Sequence, residues 1–367
     1  MDNLICIDHT SKLGGGELAL SRFIAWPGRQ HHIDLILFEE GPLADIGRST
    51  PKTDVYVLSA SSKLHRLSQL SKLIKRLDGL ILANSYSSFV CMSLLPNELK
   101  RTIYYLRHEA ITKDTPWYKA LFLKKYSFRL ARGFLANSSY TQNTLQDLSL
   151  MKKCQVIYTI SGVLHDEIKD TPNNFRDPLQ VLSLSRLTSW KGVHLIAQAV
   201  NKVNQDLCRA GIRLTIAGGA LFGEDDYRMM LEAYKDDSKG AIELIGHVDD
   251  VKPLLEKHDV LLSASTRPEP FGQVLVQGLS AGLLTIGTAQ GGAAEVIQDK
   301  VNGLLLPPGD INALCDILEK IVQAPSSYAG LRKAALVSAE KFTDEKMYKL
   351  LHKSIEILEF KESDSQI

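Results

Sequence analysis

Short apolar runs closed off by polar residues recur along the chain, at 4–7, 33–38, 54–58, 79–84, 102–106, 134–136, 179–184, 213–217, 242–245, 260–262, 283–286 and 303–306. Each is short for a helix and rich in Leu, Ile or Val, the pattern of a strand buried on both faces of a parallel sheet. Between several of them apolar residues recur at helical spacing: 18–24, 63–77 (Leu64, Leu67, Leu70, Ile74, Leu77), 193–203, 251–257, from 311 onward, and 346–360. Strand and helix in alternation predict doubly wound α/β domains. Residues 156–163 read as the strand and exit that end a first domain. Residues 166–178, polar and rich in Asp, Asn and Pro, read as a linker. The expected division is therefore 1–165, a linker at 166–178, and 179–345.

The most informative stretch is 263–297, SASTRPEPFGQVLVQGLSAGLLTIGTAQGGAAEVI. The strand at 260–262 stops at Ser263, and the prolines of Arg267-Pro268-Glu269-Pro270 delay any helix until Phe271-Gly272-Gln273. A helix that starts at a glycine presents outward N–H groups and allows close approach, which suits an anion. Glu269 stands just ahead of it, a carboxylate suited to hydroxyls while the amides hold a phosphate. Gln277 lies about one turn further and can face the same pocket. A second glycine turn follows at Gly291-Gly292.

Three other turns carry chemistry. After 179–184 comes Ser185-Arg186-Leu187-Thr188-Ser189-Trp190-Lys191-Gly192. Two fixed cations there, Arg186 and Lys191, can clamp a diphosphate and neutralise charge that develops as it leaves. Ser11 to Glu17 contains Gly14-Gly15-Gly16 at a helix start, without dinucleotide-fingerprint spacing; alone it is better read as a flexible loop. His108 follows the strand at 102–106, at the carboxyl end where α/β proteins place ligands.

The text of these turns resembles the retaining GT-B glycosyltransferases of family four, through R-L-x-x-x-K-G, PEPFG and GG-AAEVI in that order. The resemblance implies two Rossmann-like domains facing a central cleft, the first, 1–165, binding the acceptor and the second, 179–345, the nucleotide-sugar donor, with the last helix, 346–367, packing back on the first domain. It places Arg186 and Lys191 on the donor diphosphate, assisted by the main chain of Phe271, Gly272 and Gln273. It places Glu269 on the sugar and His108 near the reacting carbon or the acceptor. The turns at Gly15-Gly16 and Gly218, and the main chain of Gly246-His247-Val248, complete the donor site. The family carries a second Glu where this chain has Gln277, on the ribose diol; the amide gives up a charge-assisted bond of roughly twice the strength of a neutral one. The implied reaction is transfer of a sugar from a nucleotide-diphosphate sugar to an acceptor hydroxyl with retention. Envelope polysaccharide, lipopolysaccharide or glycolipid synthesis is the expected setting. No cofactor or metal is expected, since the cations replace one. Two other readings stay open: a non-catalytic nucleotide-sugar-binding partner, motivated by Gln277, and a nonhydrolysing nucleotide-sugar epimerase.

Composition narrows the partners. The 367 residues carry a net charge of +1, which argues against a nucleic-acid binder. Five dispersed cysteines without a CxxC pair suit a reducing cytoplasm and indicate no zinc site. The N-terminal run is too short for a signal peptide, and no run is long enough to span a bilayer. Basic residues concentrate in 63–76 and, interleaved with aromatics, in 113–132. Two solvated amphipathic helices explain these; contact with the inner face of an anionic membrane, and a lipid-linked acceptor, explains them as well.

Overall fold

The computed structural model describes residues 3–60, 62–112, 115–163, 174–219 and 225–360. Most of the expected linker, the tail from 361 and Lys113 lie outside the described residues. The chain divides into two compact units, Met1–Gly162 with Asp344–Ile367, and Val163–Thr343.

The first unit is built on seven parallel strands: β1 (Asn3–Asp8), β2 (His32–Leu37), β3 (Thr53–Val57), β4 (Leu80–Ala83), β5 (Thr102–Leu106), β6 (Gly133–Ala136) and β7 (Cys154–Val156). Their order across the sheet is β3-β2-β1-β4-β5-β6-β7. Side chains alternate between two faces covered by helices, so the central strands are apolar at most positions, Asp34 in β2 being a buried exception. In β1, Leu4 and Cys6 enter one core, while Ile5 and Ile7 enter the other. The first core is closed by the helices Gly15–Ile24 and Asp344–Phe360, the latter through Met347, Tyr348, Leu351, Ile355 and Leu358. Asp344 accepts from the amides of Ser161 and Gly162 at 3.0 and 2.9 Å, an acidic group where a helix start favours one. At the other end the Arg132 guanidinium donates to the carbonyls of Leu358 and Glu359.

The second unit has six parallel strands: β8 (Leu179–Leu184), β9 (Ile212–Ala217), β10 (Ile242–Gly246), β11 (Val260–Leu262), β12 (Leu284–Thr288) and β13 (Leu304–Leu306). Their order is β10-β9-β8-β11-β12-β13. The helices Val193–Asp206 and Ile311–Gln323 pack one face, with Val193, Ile196, Val200, Leu314 and Leu318 in the core. Helix Ala329–Ala339 is not visible in the hydrophobic pattern because its buried positions are Arg332, Ala335 and Ala339. The buried Arg332 Nε donates to Gly282 O at 2.8 Å, and the guanidinium lies over the Phe175 ring.

The aromatic-basic stretch is less regular than its spacing suggests. It folds as Trp117–Phe122, a wider π turn Leu123–Ser127 and a short turn Phe128–Leu130. Phe128 is a core residue and Arg132 caps the C-terminal helix, so neither faces outward as the interleaved pattern implied. Trp117, Tyr118, Leu121, Phe122 and Tyr126 do remain exposed. No helix among the described residues is long and apolar enough to cross a membrane.

Candidate active site

In both sheets the strand order reverses between the first and fourth strands of the unit, β1/β4 and β8/β11. Loops leaving two such strands part in opposite directions, and the crevice between them is where open α/β sheets bind ligands. In the second unit those loops run from Ser185 to Gly192 after β8 and from Ser263 to Gly272 after β11.

They bring Lys191 and Glu269 together: Nζ lies 2.5 Å from Oε1, with the two side chains 14% and 8% exposed. Ser265 Oγ donates to the same carboxylate oxygen at 2.5 Å, and the ammonium stands 4.4 Å from the centre of the Trp190 ring. The loops are tied by their main chains, with Thr266 N donating to Trp190 O at 2.7 Å. Two glycines make this closeness possible. Gly192 has φ +67, and a Cβ there would lie 2.0 Å from Ala264 O. Gly291 has φ +63, and a Cβ there would lie 2.4 Å from Glu269 O, which accepts from Gly292 N at 2.7 Å. Lys191 is thus not an open cation: its charge is neutralised by the carboxylate expected to meet the sugar. Sequence spacing could not reveal that pairing, nor the parts played by Ser265 and Trp190.

Arg186 is exposed, and among the described residues no ion pair holds it. Its loop abuts the glycine turn after β9, where a Cβ on Gly218 would strike Ser185 O. Gly218 N in turn donates to Gly246 O at 2.7 Å, which sets the turn Gly246-His247-Val248 alongside. His247 is exposed, 3.2 Å from Asp249. Gly272 caps helix Gln273–Ser280, whose first amides point out of the helix body. Gln277 is half-buried on that helix. Phe271 is a core side chain packed against Phe342, so a ligand meets only its main chain.

Of the expected site residues, His108, Gly15 and Gly16 belong to the first unit, at the carboxyl edge of its sheet. His108 is exposed just after β5, and Gly16 starts its helix against the Arg107 side chain. The polar groups at that unit's own switch point are ones that sequence reading passed over. Asp8, fully buried at the end of β1, holds His9 Nδ1 at 3.0 Å through one oxygen and accepts from Asn84 Nδ2 at 2.6 Å through the other. Arg107 donates to Asn84 Oδ1 at 3.1 and 2.8 Å, and Ser85 Oγ lies 3.0 Å from His9 Nδ1. The Asp8 bond raises the His9 pKa, and Glu17 and Glu39 add to it; burial also raises the pKa of Glu17. Part of the signal was present, since the apolar runs at 4–7 and 79–84 both end in paired polar residues, Asp-His and Asn-Ser, but only the sheet order brings them together. As for metals, Asp8, His9 and Glu17, and separately His32, Asp34 and Asp54, bring ligand-type atoms within 4.8 Å of one another. Hydrogen bonds join His9 to Asp8 and His32 to Asp54, at 3.0 and 3.2 Å, while Glu17 accepts from Gly14 N and Asp34 from Asn3 Nδ2.

Residues 165–338 match the family model described as Glycosyl transferases group 1. The chain is 27% identical over 200 residues to Lipopolysaccharide core biosynthesis glycosyltransferase LpsE of Rhizobium meliloti (strain 1021), covering 53% of this chain and 55% of that protein. It is 26% identical over 189 residues to Amylovoran biosynthesis glycosyltransferase AmsK of Erwinia amylovora, covering 49% and 45%. The chain thus spans about half the length of these curated relatives. The crystal structure of Anabaena Alr3699/HepE in complex with UDP and glucose superposes with a TM-score of 0.83 at 23% identity, over 97% of this chain and all of that one. At that identity the likeness concerns architecture: two Rossmann-like parallel-sheet units of the GT-B type.

Proposed function

We propose that this chain, whose residues 165–338 match the model for Glycosyl transferases group 1, belongs to that family and is a retaining glycosyltransferase. It takes a sugar from a nucleotide-diphosphate donor to an acceptor hydroxyl, in the synthesis of an envelope polysaccharide, lipopolysaccharide or glycolipid. The observation that carries the reading is the Lys191–Glu269 pair at the switch point of the second sheet, beside a glycine-capped helix start. A diphosphate entering there gives Lys191 an anionic partner and frees Glu269 to accept from sugar hydroxyls. Arg186, exposed and without an ion pair among the described residues, is the second cation. Fixed cations stabilise the departing diphosphate as a metal would, so none is required. Bond breaking sends the C1–O electron pair to the phosphate. The acceptor oxygen bonds C1 on the same face, and its proton passes to the leaving phosphate. His108, exposed beyond β5, is assigned to the sugar or the acceptor.

Support from relatives is in kind: the matched proteins are named for lipopolysaccharide core and amylovoran synthesis, and HepE was crystallised with UDP and glucose. A lipid-linked acceptor at the inner face of a membrane fits the exposed Trp117, Tyr118 and Leu121 beside Lys119, Lys124 and Lys125, a mix suited to an anionic interface.

The test is a panel of nucleoside diphosphates and their sugars, ranked by thermal stabilisation and then incubated with polyol acceptors. The proposal expects one base to stabilise selectively and its sugar to be transferred with the anomeric configuration kept. Stabilisation without turnover would favour the non-catalytic partner reading, and turnover without acceptor the epimerase reading. Inversion of the anomeric centre would overturn the retaining assignment.

A further inference from the structure

Lys191 and Glu269 lie on the two loops that also supply the expected diphosphate site, so the carboxylate and an incoming anion claim the same ammonium. Among the described residues Glu269 is the anion that holds it, at 2.5 Å; the Trp190 ring beside Nζ carries no charge. The carboxylate is fixed and does not swing aside freely. Glu269 is 6% exposed, Ser265 Oγ donates to its Oε1, and Ser265 O accepts from Gln290 Nε2 at 3.0 Å. Its own main-chain oxygen accepts from Gly292 N at 2.7 Å. Both side-chain bonds use Oε1; among the described residues no hydrogen bond reaches Oε2. Oε2 is therefore the open acceptor of the site. It suits a hydroxyl and repels a phosphate, because an ionised carboxylate only accepts.

We propose that Glu269 competes with the donor's diphosphate for Lys191, and that this competition expels the nucleoside diphosphate once its sugar has been transferred. A buried carboxylate that loses its counter-charge is costly unless other donors replace it. The sugar of an intact donor brings them: its hydroxyls donate to Oε2 and Oε1 while the diphosphate takes Lys191. A bare nucleoside diphosphate brings none. It also carries about one negative charge more, since its terminal phosphate has a second ionisation at about pH 6 that the sugar ester lacks. It therefore meets the carboxylate with greater repulsion. With the sugar gone, Glu269 retakes Lys191, and the diphosphate is left with Arg186 and main-chain amides. The competition rests on the donor-site reading above and adds to it the regulation of product release.

Titration calorimetry tests it with UDP, GDP and ADP beside UDP-glucose, GDP-mannose and ADP-glucose. The proteins are wild type, Glu269→Gln, Glu269→Ala, Lys191→Met and the double variant Lys191→Met with Glu269→Gln. For the base that binds, Glu269→Gln should hold the nucleoside diphosphate about 10-fold tighter than wild type, the worth of one hydrogen bond to a charged group. Its dissociation in stopped flow should slow accordingly. The preference for the sugar ester over the bare diphosphate should fall by at least as much. Glu269→Ala should act in the same direction, and it carries the test if the amide disturbs the loop. In the Lys191→Met background, Glu269→Gln should change the diphosphate affinity by about 2-fold at most, the spread of independent effects, because the contested cation is gone. The proposal is overturned if neither Glu269 variant binds the nucleoside diphosphate more tightly, or if the gain is as large without Lys191, which would be repulsion alone. Arg186→Ala reads the donor site apart from the pair. A diphosphate weakened by that change but tightened by neither Glu269 variant removes the competition and leaves the donor-site reading standing. If wild type and both Glu269 variants bind none of the six ligands, the donor-site reading falls and the competition with it.

Discussion

Removing Lys191 should destabilise the second unit as well as stop transfer, because Glu269 would be left buried without its counter-charge. Loss of one member of a buried ion pair costs about 3–5 kcal/mol. The Ser265 hydroxyl stays on the same oxygen and Lys191 is not fully enclosed, so the cost falls below that range, to about 2–3 kcal/mol. In a domain of this size that lowers the melting temperature by about 4–12 °C. Lys191→Met keeps the aliphatic stem over Trp190, so the loss reports charge and not packing. Glu269→Gln keeps an acceptor for Ser265 and strands the ammonium instead. In the double variant Lys191→Met with Glu269→Gln neither charge remains, and most of the stability should return. A denaturation cycle over the four proteins should therefore give a coupling of about 1.5–2.5 kcal/mol, well above the ~0.5 kcal/mol expected of independent sites. The same double variant should remain inactive, which separates fold from chemistry. A Lys191→Met protein that melts with wild type, or a cycle that is additive, would refute the pairing argument.

Other substitutions test neighbouring parts. Arg186→Ala should lower the transfer rate at least ~10²-fold, the scale of one lost charge stabiliser, yet leave the melting temperature unchanged because the side chain is exposed. Equal activity in that variant would remove Arg186 from the diphosphate. Gln277→Glu should tighten the stabilising nucleoside diphosphate about tenfold if the residue meets the ribose, since a charged acceptor forms the stronger bond; calorimetry with no change in Kd would detach Gln277 from the nucleotide. Trp117→Ser with Tyr118→Ser should weaken sedimentation with phosphatidylglycerol vesicles, and wild-type protein that ignores such vesicles at low salt would end the membrane reading.

The architecture was legible because a strand buried on both faces admits few polar residues until it ends. The run at 102–106 and the strand Thr102–Leu106 coincide, and the same logic placed β8 and β11. Helices whose buried side is small or polar were not legible: Ala329–Ala339 hides an arginine and alanines, and Tyr86–Met92 is marked mainly by its Ser85 cap. Motif text drew attention to Lys191 and Glu269 separately, but their contact joins residues 78 positions apart and depends on which strands are neighbours. The Asp8–His9–Asn84 network has the same origin. Nothing local marks β1 and β4 as adjacent, so the polar ends of two apolar runs stayed unconnected until the sheet order was known.

The central claim is that a donor pyrophosphate settles on the two loops at the β8/β11 switch point. A crystal structure with the best-stabilising nucleoside diphosphate measures it directly. The account predicts phosphate oxygens within about 2.7–3.2 Å of Arg186, Lys191 and the main-chain amides at Gly272-Gln273, with the Lys191–Glu269 contact opened. A pyrophosphate bound away from both loops, with that contact intact, would contradict it.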